Sequence, residues 1–175
     1  MIISVNTLIP FPRSLVYATY RDKVVELLPY LPNVVSVSVK STHQEGNLTY
    51  YVNQWHGGGD IPAALRSILG DNLLSWDEYN TWNELDLSQK WHIKTHAFTE
   101  SVSCQGTTQF SEDGNSTFVQ TRGELTIDPK QIKGFPSFLV GGVAHMLEDF
   151  LGSKISPNLE QMSLGVRHYL EQNHL

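Results

Sequence analysis

The sequence has little cysteine and little charge. Its 175 residues include one cysteine, Cys104, so no internal disulfide can form and disulfide-based scaffolds are excluded. Charged residues make up 17% of the chain, where about 25% is typical of globular domains. Intrinsic disorder is excluded too, because 40% of the residues are hydrophobic and four are tryptophan.

Basic residues are also scarce: 12 Lys and Arg stand against 18 Asp and Glu, which gives a net charge of −6. Nucleic-acid binding needs a basic face, so we expect none. Residues 1–6 carry no basic segment before an apolar run, which predicts no signal peptide. Since no apolar stretch approaches the roughly 20 residues that span a bilayer, we expect one soluble, cytoplasmic domain over residues 1–175.

The hydrophobic spacing predicts short strands first and one long helix last. A strand near 3–7 precedes a helix from about 14 to 27, and Gly46 marks a hairpin between strands at 35–39 and 48–55. A flexible loop at 56–60 and a short helix at about 61–69 come next, and strands follow at 73–84, 89–97, 100–111 and 116–127. A long helix begins after Pro136, and Pro157 should kink or interrupt it. The order predicts an α+β fold: a curved antiparallel sheet of six or seven strands wrapped around the C-terminal helix.

This order resembles the helix-grip fold of the START-like, Bet v 1-like, polyketide-cyclase (SRPBCC) superfamily. Short motifs are similar to its PRELI-like lipid-transfer branch: residues 18–21 (ATYR), 33–39 (NVVSVSV), 54–55 (QW) before 61–65 (IPAAL), and 153–158 (SKISPN). The resemblance implies a cavity between sheet and helix that binds a hydrophobic or amphipathic small molecule, most often a lipid, without a cofactor. It also implies head-group contacts from Arg21, Lys154 and Asn158. The alternatives are an ion pair between Arg21 and a neighbouring acid, and a solvated Lys154.

Two groups of residues are candidates for the wall and the entrance of such a cavity. An apolar stripe on the long helix and two strand tryptophans are the candidate lining: Trp76, Trp91, Val143, Met146, Leu147 and Phe150. The candidate lid has a glycine hinge before the short helix: Trp55, Gly57, Gly58, Gly59, Ile61, Leu65 and Ile68. The alternatives are ordinary core packing for the stripe and a packed surface helix for the lid. Any transient membrane contact is expected through residues 56–69.

An enzyme that uses the same cavity, such as a polyketide cyclase, a dehydratase or a hydrolase, is the second interpretation. His92 and His96 would lie roughly 13 Å apart along a strand, too far apart to share a metal ion. The adjacent acids Asp77 and Glu78 would point to opposite faces of a strand and cannot act as a pair. The sequence therefore assigns no catalytic residue and no metal site. An interaction domain with a collapsed cavity is a third interpretation, and a protein partner is left open.

Overall fold

The computed structural model describes residues 1–69, 72 and 74–174, with backbone only at 68 and 69. Seven strands and three α-helices follow one another in an α+β order. Their bounds are β1 (Ile2–Ile9), α1 (Arg13–Asp22), β2 (Val34–Glu45), β3 (Leu48–Gly57), α2 (Ala63–Leu69), β4 (Ser75–Asn83), β5 (Ser88–Thr95), β6 (Val102–Asp113), β7 (Ser116–Ile127) and α3 (Ser137–Asn173). No helix in these described ranges is long and apolar enough to cross a membrane.

All strand pairs are antiparallel, and the sheet order is β1-β7-β6-β5-β4-β3-β2. The β2–β3 and β6–β7 hairpins turn at Gly46 and Gly114, whose φ angles of 58° and 60° favour glycine. Only β1 is out of sequence order: it pairs with β7, so the first and last strands are neighbours. The predicted curved antiparallel sheet with a long C-terminal helix is confirmed.

Three sequence predictions differ from the structure in detail. The first helix ends at Asp22 instead of about residue 27, and the chain continues in turns to a short 3₁₀ helix at Leu28–Tyr30. The strand β3 continues through His56 to Gly57, because both residues pair with β2. The helix α3 is not interrupted at Pro157, which is exposed and lies inside one continuous helix.

The core consists of two apolar clusters where the sheet faces α3. One surrounds Leu147 and includes Ile3, Leu125, Leu65 of α2, and Ile61 just before that helix. The other cluster joins α1 to the far end of α3, through residues such as Tyr17, Trp82, Phe110, Val166 and Leu170. The two clusters hold the ends of α3 against the sheet. Between the two clusters, the side chains of the middle of α3 do not fill the space against the sheet.

Candidate functional site

A cavity of about 140 Å³ lies between the sheet and the middle of α3. Its walls come from α1, from β2 to β7 and from α3, so both core clusters border it. The helix wall is mainly a stripe at three- and four-residue spacing that includes Phe150, Leu151, Lys154, Ile155, Asn158, Leu159 and Met162. This space is large enough for a small organic ligand.

Glu78 lies at the centre of the sheet wall. Cross-strand pairing places Asn53 of β3 and Ile93 of β5 directly beside it. Trp91 and Thr95 lie two residues before and two residues after Ile93 in β5, so they are diagonal neighbours of Glu78 on the same face of the sheet. All five side chains line the cavity. Polar groups therefore cluster in the middle of a wall that is otherwise mostly apolar and aromatic.

The Glu78 carboxyl is held by neutral donors. Trp55 Nε1 donates a hydrogen bond of 2.9 Å to Glu78 Oε2. Burial raises the pKa of Glu78 above its usual value, and hydrogen bonds from Asn80, Trp55 and Asn53 offset only part of this effect. In the described chain no basic side chain forms an ion pair with Glu78. Glu78 therefore holds its proton more tightly than an exposed glutamate does.

Three polar atoms beside Glu78 are buried without a hydrogen-bond partner in the described chain: Asn53 Oδ1, Trp91 Nε1 and Thr95 Oγ1. Their residues are only 5%, 3% and 6% exposed. Leaving such a group unpaired costs about 1–3 kcal/mol, so proteins rarely bury three of them together. The arrangement offers an acceptor, a donor and a hydroxyl to a molecule in the cavity.

Aromatic rings shape the rest of the sheet wall. The Trp55 and Trp76 rings are stacked, with centroids 6.1 Å apart and an interplanar angle of 6°. Trp91 lies flat over two paired glycines of β6 and β7, Gly106 and Gly123. A Cβ atom at Gly123 would come within 2.6 Å of Trp91 Cη2. These glycines allow the indole to lie against the sheet and so leave the cavity open above it.

Lys154 is the one basic residue that lines the cavity in the described chain. Its Nζ lies 5.9 Å from the centroid of the Phe150 ring. A Cβ atom added at Gly59 would lie 3.1 Å from this nitrogen, so the ammonium group approaches the glycine loop. Asn158, one helical turn further along α3, also lines the cavity. Lys154 and Asn158 thus lie together beside the glycine loop, whereas Glu78 belongs to the sheet wall.

Arg21 lies outside the cavity. Its guanidinium group forms ion pairs with Asp22, at 2.7 Å, and with Glu84. The preceding residue, Tyr20, points inward and lines the cavity, and its hydroxyl donates to Ser163 Oγ at 2.6 Å. Because consecutive helical residues point about 100° apart, Arg21 faces the end of β4 instead. The structure therefore separates Arg21 from Lys154 and Asn158.

The expected lining residues divide into two sets. Trp76, Trp91 and Phe150 line the cavity. Val143, Met146 and Leu147 pack in the core cluster around Ile3 and Leu125. The stripe on α3 is continuous, but its first turns meet closely packed strands. Only from Phe150 onward does it face the cavity.

The expected lid residues surround the loop between β3 and α2. Trp55, Gly57 and Gly58 line the cavity, and the Gly58 N–H donates to the Asn33 carbonyl at 2.9 Å. Gly59 has a φ of 111°, which favours glycine. Leu65 in α2 and Ile61 just before that helix are only 1% and 4% exposed, so both side chains pack into the core. The side chain of Ile68 lies outside the described residues, and movement of this segment stays a prediction.

The histidines lie away from this site. His96 contacts Asp77 on the outer face of the sheet, with Nε2 and Oδ1 3.2 Å apart, and exposed His145 lies near Asp149 on α3. Burial and the charge of Lys94 lower the pKa of His92, which packs beside Tyr79. Within the described residues no group of three or more His, Cys, Asp or Glu side chains could hold a metal ion. Asp77 and Glu78 lie on opposite sides of β4, as their alternation requires.

Sequence reasoning missed the polar cluster. Setting aside Asp77 and Glu78 as a pair also removed Glu78 from consideration as a single acid. One signal was available: in β4, Glu78 and Asn80 share their side of the strand with Trp76 and Trp82. Polar residues flanked on one face by tryptophans indicate a wall that is both aromatic and hydrogen-bonding. Asn53 and Thr95 carry no such signal, because only strand pairing brings them to Glu78.

Comparisons with known proteins find solved structures with the same fold but no matching family model or curated sequence. No protein-family model matches the chain, and no curated protein sequence matches it at a significant level. The solved structure of TTHA0849 from Thermus thermophilus covers 100% of both chains with a TM-score of 0.68 and 20% identity. The Zhui aromatase/cyclase from a Streptomyces species has a TM-score of 0.71 and 11% identity over 99% of this chain and 94% of its own. Norcoclaurine synthase from Thalictrum flavum has a TM-score of 0.52 and 12% identity over 86% of each chain.

The chain therefore has the helix-grip fold of the START-like, Bet v 1-like, polyketide-cyclase superfamily. The resemblance inferred from element order is confirmed at this level. The narrower resemblance to the PRELI-like branch stays a prediction. Identities of 20% or less carry the fold alone, so the ligand must be argued from the cavity itself.

Proposed function

We propose that this protein binds an amphipathic small molecule, such as a lipid, between the sheet and α3, for transport or sensing. One observation carries the proposal. Three buried polar atoms without partners surround Glu78 in a cavity with apolar and aromatic walls. A ligand that supplies their hydrogen bonds and also covers the indoles and the α3 stripe would satisfy both kinds of surface.

A second polar group of the ligand belongs beside Lys154 and Asn158. The Lys154 ammonium group suits a carboxylate or a phosphate, and the Asn158 amide can donate beside it. Because the Lys154 ammonium group approaches the glycine loop, its positive charge favours an anionic group at this end of the ligand. The proposed ligand thus has a polar group at Glu78, an apolar body along α3, and an anionic group near the loop.

Mass spectrometry of natively purified protein tests the proposal directly. We expect a small amphipathic compound to remain bound under native conditions and to separate after denaturation. Lipid extracted from the same sample identifies the class. A protein that stays free of ligand and does not take up any member of a broad lipid and metabolite panel contradicts the proposal.

The anionic end has its own test in two matched alanine variants. Lys154→Ala should weaken uptake of an anionic lipid about tenfold, the effect of removing one charge-assisted hydrogen bond. Arg21→Ala is the matched control, because it also removes a cation but lies outside the cavity. Equal losses in the two variants, or none in Lys154→Ala, contradict a role for Lys154.

Polyketide cyclase-like or hydrolase-like enzymatic activity in the same cavity is the second candidate. The raised pKa of Glu78 favours enzymatic activity, because a carboxyl with a raised pKa in an apolar cavity is a common general acid or base. One structural neighbour is an aromatase/cyclase. Turnover of a polyketide-like or ester compound that is lost in Glu78→Gln would support this candidate. Binding of such compounds without turnover would favour the carrier.

A further inference from the structure

Glu78 lacks a counter-charge within the part of the chain that the structure describes. It is the one acid among the cavity residues, and the one base, Lys154, lies on α3 beside the glycine loop. The groups that contact its carboxyl are the neutral side chains of Trp55, Asn53 and Asn80. An ionised carboxylate at this position would need a cation from outside the protein.

Indole rings surround Glu78 along the sheet. Trp76 precedes it by two residues on the same face of β4, and Trp55 pairs with Trp76 across the strands. Trp91 lies diagonally on the other side, in β5. The face of an indole ring carries negative potential and attracts cations more strongly than other aromatic side chains do. A carboxyl among three tryptophans is an environment that suits a positively charged group.

The unpartnered atoms complete the pattern. Asn53 Oδ1 and Thr95 Oγ1 are acceptors, and both belong to residues next to Glu78 on the sheet. A primary ammonium group has three N–H donors, which matches these two oxygens and the Glu78 carboxylate. Trp91 Nε1 is a donor and needs an acceptor, such as a hydroxyl group near the amine. An acyl chain would leave all these groups unpaired, and an anion without a donor could not pair with Asn53 Oδ1.

We propose that the cluster around Glu78 binds the ammonium group of an amphipathic amine. This inference rests on the proposed function and names the chemistry of the deep end of the ligand. The amine enters as a cation, Glu78 gives up its proton to solvent, and the ion pair forms inside the aromatic cluster. The apolar part of the amine then lies along α3.

Proton release follows from the titratable groups around the cavity. In the described chain these are Glu78, Tyr20, Cys104 and Lys154. Burial raises the pKa of Tyr20, and it raises the pKa of Cys104 to about 12, so both stay neutral near pH 7. Glu78 is therefore the group whose protonation changes when a cation binds, and affinity for an amine should rise with pH through its titration.

Three probes of the same shape test the inference: 2-phenylethylamine, 2-phenylethanol and 3-phenylpropanoate. Titration calorimetry of ligand-free protein should give the amine at least about a tenfold lower Kd than the alcohol. The acid can pair with Lys154 and therefore reports on the other end of the cavity. Repeating the titration over the pH range in which Glu78 titrates, in two buffers with different ionisation enthalpies, measures protons released, and the amine alone should release them from Glu78. An alcohol that binds as tightly as the amine overturns the inference and leaves the proposed function intact.

Variants of Glu78 and Asp77 test which group causes the preference for the amine and the proton release. Glu78→Gln should abolish the preference for the amine and the proton release while it still binds 2-phenylethanol. Asp77→Asn, the matched control on the opposite side of β4, should keep both. An amine preference that persists in Glu78→Gln overturns the role of Glu78. Failure of all three probes to bind contradicts the inference, whereas a ligand found by native mass spectrometry would still support the proposed function.

Discussion

Single residues of the sheet wall decide what the cavity can bind. Glu78, Asn53 and Thr95 turn the centre of a curved sheet into a hydrogen-bonding surface, while the neighbouring tryptophans make the wall around them aromatic. The cost is an acid whose ionised form is poorly solvated and whose pKa is raised. A residue that destabilises the empty protein in this way is typical of a functional site.

The pH dependence of stability should report this acid. Its raised folded pKa means that the folded protein binds the Glu78 proton more tightly than the unfolded chain, so stability falls as pH rises from about 4.3, the usual Glu value, through the folded pKa. Each unit of elevation costs about 1.4 kcal/mol once Glu78 is ionised. Glu78→Gln should therefore become more stable relative to the wild type with increasing pH, measured by urea unfolding of ligand-free protein. A difference that is flat or falls with pH contradicts the assignment.

At the scale of elements, two strands and a helix set the depth of the cavity. Gly106 and Gly123 pair between β6 and β7 and let Trp91 lie against the sheet. On the opposite side, α3 is held at both ends by the two core clusters. The cavity is thus the space between the two core clusters. Its depth on the sheet side depends on Gly106 and Gly123, which have no side chain beneath the Trp91 ring.

Gly123→Ala should show this directly. The new methyl group would meet Trp91 Cη2 and the Gln105 carbonyl, each at 2.6 Å, so the indole must move toward the cavity. We expect a loss of about 1–3 kcal/mol in unfolding free energy by urea denaturation, with weaker ligand binding. Gly142→Ala in α3 is the control, since no atom lies within 4 Å of the new methyl. It should be neutral or stabilising by up to about 1 kcal/mol. Equal effects of the two substitutions would argue against the role of Gly123 in placing the Trp91 ring.

At the scale of the whole molecule, charge and burial limit contact with membranes. The net charge is −6, and the side chains of Leu65 in α2 and of Ile61 just before it are packed into the core. A bilayer could reach these side chains only after this segment leaves the core. The expected transient contact through residues 56–69 therefore requires an opening step, which stays a prediction.

Vesicle sedimentation tests the consequence. At about 0.15 M salt, where charges interact over about 8 Å, we expect no stable binding to vesicles that contain phosphatidylserine. Vesicles of neutral lipid are the matched control and should give the same result. Stable binding to either would mean that α2 exposes its apolar side readily, and selective binding to the anionic vesicles would reveal a basic surface that overcomes the net charge.

The sequence alone determined the fold class, because alternation, turn glycines and the long apolar periodicity are local patterns that each element carries in its own residues. It also placed Trp76, Trp91, Phe150, Lys154 and Asn158 on elements that line the cavity. Only the tertiary structure decided which side chains meet. Strand register brought Asn53 and Thr95 beside Glu78, and helix rotation turned Arg21 away toward Glu84. Such encounters depend on residues distant in the chain. The scarcity of charge in the sequence could therefore not by itself show that Glu78 lies in the cavity wall without an ion-pair partner in the described chain.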